Sequence, residues 1–125
     1  MKIKLPLLKQ QLVDGQVVST ETEAVFDIDT SVYSEERWEQ NFPVLAAREG
    51  LFQYIERVRA DSLTARVQIA CMLKAVYCFI ESDSISSYKE FAQMFNLAAP
   101  EYTERLIATL TEAFQTILNG SAVKN

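Results

Sequence analysis

Histidine is absent from this chain of 125 residues. The protein therefore lacks the commonest general base, the usual metal ligand, and every nucleophile that depends on a Ser-His or Cys-His pair. Glycine occurs only three times, never in a GxGxxG or GxxxxGKS/T loop, so nucleotide phosphates have no recognisable cradle. Glu35 and Glu36 are adjacent on a predicted helix and point in different directions, which favours a charged face over an acid and base pair. We predict that the protein is not an enzyme and binds no cofactor.

Cysteine is scarce as well, with two residues in the whole chain. Cys71 and Cys78 lie seven positions apart in one helical run. At 1.5 Å rise per residue this spacing separates their backbones by about 10 Å, which is too far for a disulfide. Neither cysteine has a histidine or a second close cysteine beside it, as a metal site requires. We predict two reduced thiols in the core and no metal site.

Long apolar runs are missing. The longest, Ile69–Ile80, is interrupted by Lys74 and falls short of the roughly 18 to 20 residues that cross a bilayer. Near the N-terminus, Pro6 and Lys9 break the apolar run before it reaches the length of a signal-peptide core. We expect a cytoplasmic protein.

Basic residues are outnumbered, with 12 Lys and Arg against 17 Asp and Glu and a net charge of −5. Such a protein repels phosphate backbones and anionic lipid surfaces. The charge balance therefore predicts neither a nucleic acid nor a membrane as partner.

The chain contains one segment of unusual composition, Val25–Pro43, which reads VFDIDTSVYSEERWEQNFP and holds the only tryptophan. Here Phe26 and Ile28 alternate with aspartates, as in a short extended segment with one apolar face. Ser34 precedes two glutamates and indicates the start of a helix that carries Trp38. Pro43 predicts a break in that helix, and Asn41 or Phe42 is placed to cap a second one. We call Val25–Pro43 the signature segment.

The acids of the signature segment do not form a calcium loop. Asp27, Asp29 and Ser31 occupy the first, third and fifth positions of an EF-hand. The sixth position is Val32, where the turn needs glycine, and the twelfth is Trp38, where a bidentate glutamate is needed. The pattern is more typical of helix caps and a solvated face.

The periodicity predicts one mainly α domain over residues 1–125. We expect a short extended or β-hairpin region over 1–30 with a turn at Asp14-Gly15, a helical part over 34–119, and a flexible tail over 120–125 after a helix stop at Gly120. About five helices should surround a central hydrophobic helix over about 63–82. The predicted inner face of that helix consists of Ile69, Met72, Leu73, Val76, Phe79 and Ile80. The predicted inner face of the last helix, which begins near Pro100, consists of Tyr102, Leu106, Leu110, Ala113, Phe114 and Ile117.

The signature segment, followed by the run GLFQYIER at Gly50–Arg57, resembles the tail assembly chaperones of siphophages and prophages of Gram-positive bacteria. The resemblance covers about residues 25–60 and includes no catalytic motif. It implies a non-enzymatic protein that binds the hydrophobic, helical tape measure protein and keeps it soluble until the tail tube polymerises around it. It also implies self-association into an oligomer or spiral, a place in the host bacterial cytoplasm, and absence from the mature virion.

Five large side chains in or near the signature segment are candidates for binding the partner. They are Tyr33, Trp38, Phe42, Phe52 and Tyr54. Each also has a reading as a core residue, and a lone tryptophan near a helix start is more often a core anchor than a binding hot spot.

Two other functions remain open from the sequence. A minor structural protein of the tail or neck would stay in the virion. Residues 88–114 also imitate a helix-turn-helix of a DNA-binding regulator, with a tight connection at Asn96–Pro100. Glu101 and Glu104 at the start of the second helix argue against DNA, because a recognition helix needs cations there.

Overall fold

The computed structural model describes residues 1–81 and 84–123, with side chains up to residue 119. These residues form three strands and six helices. In chain order they are β1 (Lys2–Val13), β2 (Gln16–Ile28), α1 (Val32–Asn41), α2 (Pro43–Ala46), α3 (Leu51–Ala60), α4 (Ala65–Phe79), β3 (Ile80–Glu81), α5 (Tyr88–Ala92) and α6 (Pro100–Val123).

The fold is mixed α/β, so the predicted mainly α bundle around a central helix is wrong. A three-stranded antiparallel sheet in the order β1-β2-β3 stands beside the helices. The hairpin β1-β2 is long, because its ladder runs without interruption from Lys2 opposite Asp27 to Val13 opposite Gln16. The sheet is a structural layer in its own right, because the base of the hairpin enters the core.

The predicted turn at Asp14-Gly15 is confirmed. Both residues have positive φ, 52° for Asp14 and 79° for Gly15. Positive φ at both central residues is the mark of the type I′ turn, whose twist matches that of the flanking strands. An aspartate followed by a glycine suits these two positions, since glycine adopts positive φ without steric cost.

Only the base of the hairpin joins the core. Four side chains of one sheet face are buried there: Ile3, Leu5, Phe26 and Ile28. From residue 9 to residue 23 every side chain is exposed. On the same face of this outer part lie Lys9, Gln11 and Thr20, and beyond them Val13 and Val18, which are 47% and 45% exposed beside the turn. The hairpin therefore projects beyond the helices.

Helix α4 packs against α1, α3, α5 and α6. The predicted apolar stripe is buried, with its last member, Ile80, just beyond the end of the helix. Its predicted range, 63–82, is too long at both ends. The helix begins at Ala65 after the N-cap Thr64 and ends at Phe79. Ile80 then pairs with Ile28 in the sheet, and the carbonyl of Phe79 accepts a 2.7 Å hydrogen bond from the Asp29 amide. The sheet thus includes the end of the apolar run Ile69–Ile80, although the periodicity of that run predicts a helix.

Helix α6 confirms the predicted start at Pro100 and the predicted buried face. It does not stop at Gly120, because its helical backbone continues to Val123. A glycine inside a helix costs about 1 kcal/mol, which neighbouring turns can offset. Of the predicted flexible tail over 120–125, residues 124 and 125 lie outside the described residues.

Candidate protein-binding surface

The signature segment forms the joint between the sheet and the helices. Asp27 projects from β2 and pairs with Lys2 of β1 at 3.1 Å. Asp29 turns the chain, because its carboxylate accepts a 2.8 Å hydrogen bond from the Ser31 amide. Ser31 then caps α1 by accepting a 3.3 Å bond from the Tyr33 amide. The helix therefore begins earlier than predicted, and Ser34 lies inside it, buried, donating to the carbonyl of Ser31.

Another acid of the signature segment holds a distant helix. The two carboxylate oxygens of Glu35 lie 3.2 and 3.1 Å from the Leu51 amide at the start of α3. This places a negative charge at the positive end of the helix dipole and satisfies one of its free N–H groups. A Cβ at position 50 would lie 3.6 Å from the carboxylate oxygens, an ordinary van der Waals contact, so this approach does not depend on the glycine. Glu35 therefore fixes α1 against α3.

Trp38 is the anchor of this joint. Its side chain is fully buried, and its indole N–H donates a 3.0 Å hydrogen bond to the carbonyl of Glu49. Its ring lies 4.7 Å from that of Tyr54 and 5.4 Å from that of Phe42, measured between centroids. The structure therefore places Trp38 among core aromatics, away from solvent.

Three other candidates, Tyr54, Phe42 and Phe52, are also turned toward the core, to different degrees. Tyr54 is buried, and this burial raises the pKa of its phenol. Phe42 and Phe52 are half-buried. Phe42 meets Tyr88 edge to face at 5.2 Å, and Phe52 meets Phe79 at 5.5 Å.

Tyr33 is the exposed member of the five candidates, with 53% of its surface accessible. Its neighbour Val32, at 78%, is also exposed on the first turn of α1. Adjacent helix positions point in different directions, so the two side chains expose separate apolar areas beside the cap of the helix. The structure thus separates Tyr33 from Trp38, Phe42 and Tyr54, which share one aromatic cluster.

A polar cavity of about 690 Å³ adjoins Tyr33. Its lining also includes Asp27, Asp29, Arg37 and Tyr77. The Arg37 guanidinium donates to the carbonyl of Ile80 and lies 4.9 Å from the centre of the Tyr77 ring. Arg37 is therefore engaged in joining α1 to β3 and α4.

A second cavity of about 670 Å³ lies between the hairpin and α6. Lys2, Lys4 and Glu23 line it on the hairpin side. Arg105 of α6 reaches Glu21 of β2 at 2.8 Å and so links the helix to the outer part of the hairpin. Arg105 belongs to the helix that the helix-turn-helix alternative would use for recognition, and it is already paired with a carboxylate.

Tyr102 fastens α6 to the edge of the sheet. Its side chain is buried, and its hydroxyl donates a 2.6 Å hydrogen bond to the carbonyl of Pro6. Burial raises the pKa of Tyr102 to about 12, and the nearby Glu21 carboxylate acts in the same direction.

The raised pKa of Tyr102 predicts a loss of stability in alkali. The phenol has a pKa of 10.0 when unperturbed and about 12 in the folded protein, so above pH 10 the unfolded chain loses this proton first. The group's contribution is complete below pH 10 and falls as pH rises to about 12. Urea unfolding over this range should show a shallower decline in Tyr102→Phe than in wild type. Equal slopes would mean that Tyr102 does not ionise differently in the two states.

Few of the described side chains are suited to nucleophilic chemistry or metal binding. Burial raises the pKa of the Cys78 thiol to about 12, so this thiol is inert at neutral pH. Within residues 1–81 and 84–123, no three histidine, cysteine or acidic side chains come close enough to hold a metal ion. In the same described part, no helix has both the length and the apolar character needed to cross a membrane.

The outer part of the hairpin carries apolar surface that the sequence reasoning missed. Leu12 and Val17, at 77% and 65% exposure, and Val13 and Val18 surround the Asp14-Gly15 turn. The signal was present in the sequence, because the aliphatics stand at consecutive positions, 12–13 and 17–18, and consecutive strand residues point to opposite faces. Both faces of the hairpin tip therefore expose apolar side chains to water.

Comparison with known proteins adds no relative. No family model matches this chain, no curated protein matches it, and no solved structure matches its fold.

Proposed function

We propose that this protein is a tail assembly chaperone of a siphophage or prophage of a Gram-positive bacterium. It acts without catalysis, by binding the hydrophobic helical tape measure protein and keeping it soluble until the tail tube polymerises around it. The observation that carries the proposal is the first turn of α1, where the signature segment presents Val32 and Tyr33 to solvent. Trp38, Phe42 and Tyr54 of the candidate set hold that turn in place from inside.

The physical basis is the covering of apolar helix faces. Such faces aggregate in water unless another apolar surface covers them, and a helix laid against an apolar surface is a common solution. Val32 and Tyr33 expose apolar side chains at the start of α1, and Val44 of α2 exposes another beyond the opposite end of that helix. The net charge of −5 keeps a loaded complex soluble.

The place of action follows from the resemblance. We propose that the protein works in the host bacterial cytoplasm, is left out of the mature virion, and uses the tape measure protein as its partner. Nucleic acid and membrane are not proposed as partners, because the net charge of −5 is unfavourable to both.

Co-expression with a tape measure protein of such a phage tests this proposal. Wild-type protein should move the tape measure product into the soluble fraction, and the double variant Val32→Ser/Tyr33→Ser should do so several-fold less. Val67→Ser is the matched control, since Val67 is an exposed valine on α4, outside the signature segment. A tape measure product that is equally insoluble with and without the protein contradicts the proposal. Recovery of the protein from purified virions would instead favour a minor structural protein of the tail or neck.

A further inference from the structure

The two-residue turn determines which backbone groups of β2 face outward. In such a hairpin the residues that flank the turn, Val13 and Gln16, exchange both backbone hydrogen bonds. Every second residue of β2 from Val17 onward therefore points its N–H and C=O away from β1. The bonds at the base agree with this alternation. The Ile28 amide bonds toward β1, to the carbonyl of Met1, and the Asp29 amide bonds the other way, to Phe79.

Most of this outer edge of β2 is open. β3 covers it only at Asp27 and Ile28. The outward-facing residues left over are Val17, Ser19, Glu21, Glu23 and Val25. Among residues 1–81 and 84–123, no other strand or loop forms a backbone hydrogen bond with them. Unpaired groups along an exposed strand are a template for another strand.

The opposite edge of the hairpin is interrupted at Pro6. Pro6 of β1 stands at an outward-facing position and has no N–H to offer. Its carbonyl is taken by the hydroxyl of Tyr102, and nearby the Asn96 side chain bonds that of Gln10 at 3.1 Å. A strand that paired along β1 would meet this break and the charged Lys9, whereas β2 offers an uninterrupted edge from Val17 to Val25.

The open edge also has the composition of a pairing strand. Residues 15–20 carry no charge, and Val17, Val18 and Thr20 are β-branched residues of the kind that favour strands. Edge strands that resist pairing usually carry a charge or a proline in this region. On β2 the acids begin only at Glu21.

We infer that the β2 edge pairs with the β2 edge of a second copy of this chain, antiparallel and about a two-fold axis at Ser19. The two hairpins then contribute four strands to one continuous sheet, which also includes β3 of each copy. In this register the two Ser19 residues face each other, Val17 faces the second copy's Glu21, and Val18 faces the second copy's Thr20. Each of these contacts occurs twice except the one on the axis, as two-fold symmetry requires.

The acids select this register. An axis at Glu21 or at Thr22 would place glutamates directly opposite one another, which destabilises a strand pair. An axis closer to the turn would leave fewer outward-facing residues to pair. An axis at Thr20 would make the two Glu21 side chains diagonal neighbours, about 7–8 Å apart. The axis at Ser19 engages Val17, Ser19 and Glu21 of both copies and places the two Glu21 residues four positions apart along the paired strands.

The rest of the molecule leaves room for the second copy. Because the strands are antiparallel, the two helical bodies lie at opposite ends of the joined sheet. The turn of each hairpin reaches only as far as Glu23 and Ala24 of the other copy, short of Asp27, where β3 begins. This inference goes beyond the proposed function and does not depend on it, so a negative co-expression result would leave it standing.

Val17 offers a matched pair of variants to test the inference. Its side chain is 65% exposed, so neither Val17→Glu nor Val17→Lys should disturb the fold. Sedimentation velocity over a range of concentrations should show a monomer-dimer equilibrium for wild type. Val17→Glu places like charges together at two contacts and should weaken the dimer about tenfold. Val17→Lys places opposite charges together and should leave the dimer as tight or tighter.

Three results would overturn the inference. A wild-type protein that stays monomeric at every concentration would contradict the inferred dimer. Assemblies larger than two copies contradict a closed pairing. Equal weakening by both Val17 variants would indicate apolar contact without this register.

A cross-link tests the axis directly. Paired residues of this type have Cα atoms about 5.5 Å apart, within the range of a disulfide. Ser19→Cys should therefore form a disulfide-linked dimer under mild oxidation, at least tenfold faster than Gln11→Cys, which puts an exposed thiol on β1 instead. The same cross-linking rate in both variants would rule out an axis at Ser19.

Discussion

Trp38→Ala is expected to lower the free energy of unfolding by about 3–5 kcal/mol, the range for loss of a large buried aromatic. The side chain is fully buried, and the variant also leaves the carbonyl of Glu49 without its indole donor. A loss of this size is a large part of the stability of a small domain. Urea unfolding followed by circular dichroism measures it, since Trp38 is the only tryptophan and fluorescence is lost with it.

Tyr33→Ala is the matched control, because Tyr33 is an aromatic residue of the same helix that is 53% exposed. Its stability should stay within about 0.5 kcal/mol of wild type. The two variants also separate folding from binding, since Tyr33→Ala should impair partner binding in a protein that remains folded. A Trp38→Ala protein as stable as wild type would mean that the aromatic cluster does not hold α1 in place.

Leu5→Ala is expected to cost about 2–5 kcal/mol, because it empties a fully buried site where the hairpin meets the helices. The result would show that the sheet belongs to the same cooperative core as α4 and α6. Tryptophan fluorescence is a suitable measurement, since it reports unfolding around Trp38, on the helical side of the core.

Leu12→Ala provides the control within the same strand. Leu12 is 77% exposed near the turn, so its removal should change stability by no more than about 0.5 kcal/mol. Equal and small effects of the two variants would mean that the hairpin folds independently of the helices.

Features that depend on neighbouring residues could be predicted from the sequence. The Asp14-Gly15 turn, the proline-initiated helices at Pro43 and Pro100, and the buried faces of α4 and α6 all follow from local chemistry and spacing. These features determine each element by itself. These local features do not determine which residues of the chain belong to the sheet.

The remaining features depend on residues far apart in the chain. Ile80 ends an apolar run that reads as helix, and only its pairing with Ile28 makes it a strand. Glu35 reads as a first-turn acid of its own helix, but its carboxylate caps α3 sixteen residues later. Of the five candidate binding residues, burial separates Tyr33 from Trp38 and Tyr54, and burial depends on tertiary packing.

The hydrogen bond from Tyr102 to Pro6 spans 96 residues, which matters while the chain is being made. At about 5–20 residues per second, the ribosome needs about 5–20 s to go from Pro6 to Tyr102. The hairpin is complete at Ile28, so for most of that time it lacks the cover that Tyr102 gives to the carbonyl of Pro6 at its β1 edge. A truncated chain that ends before Tyr102 would keep this carbonyl open and should aggregate more readily than the full chain.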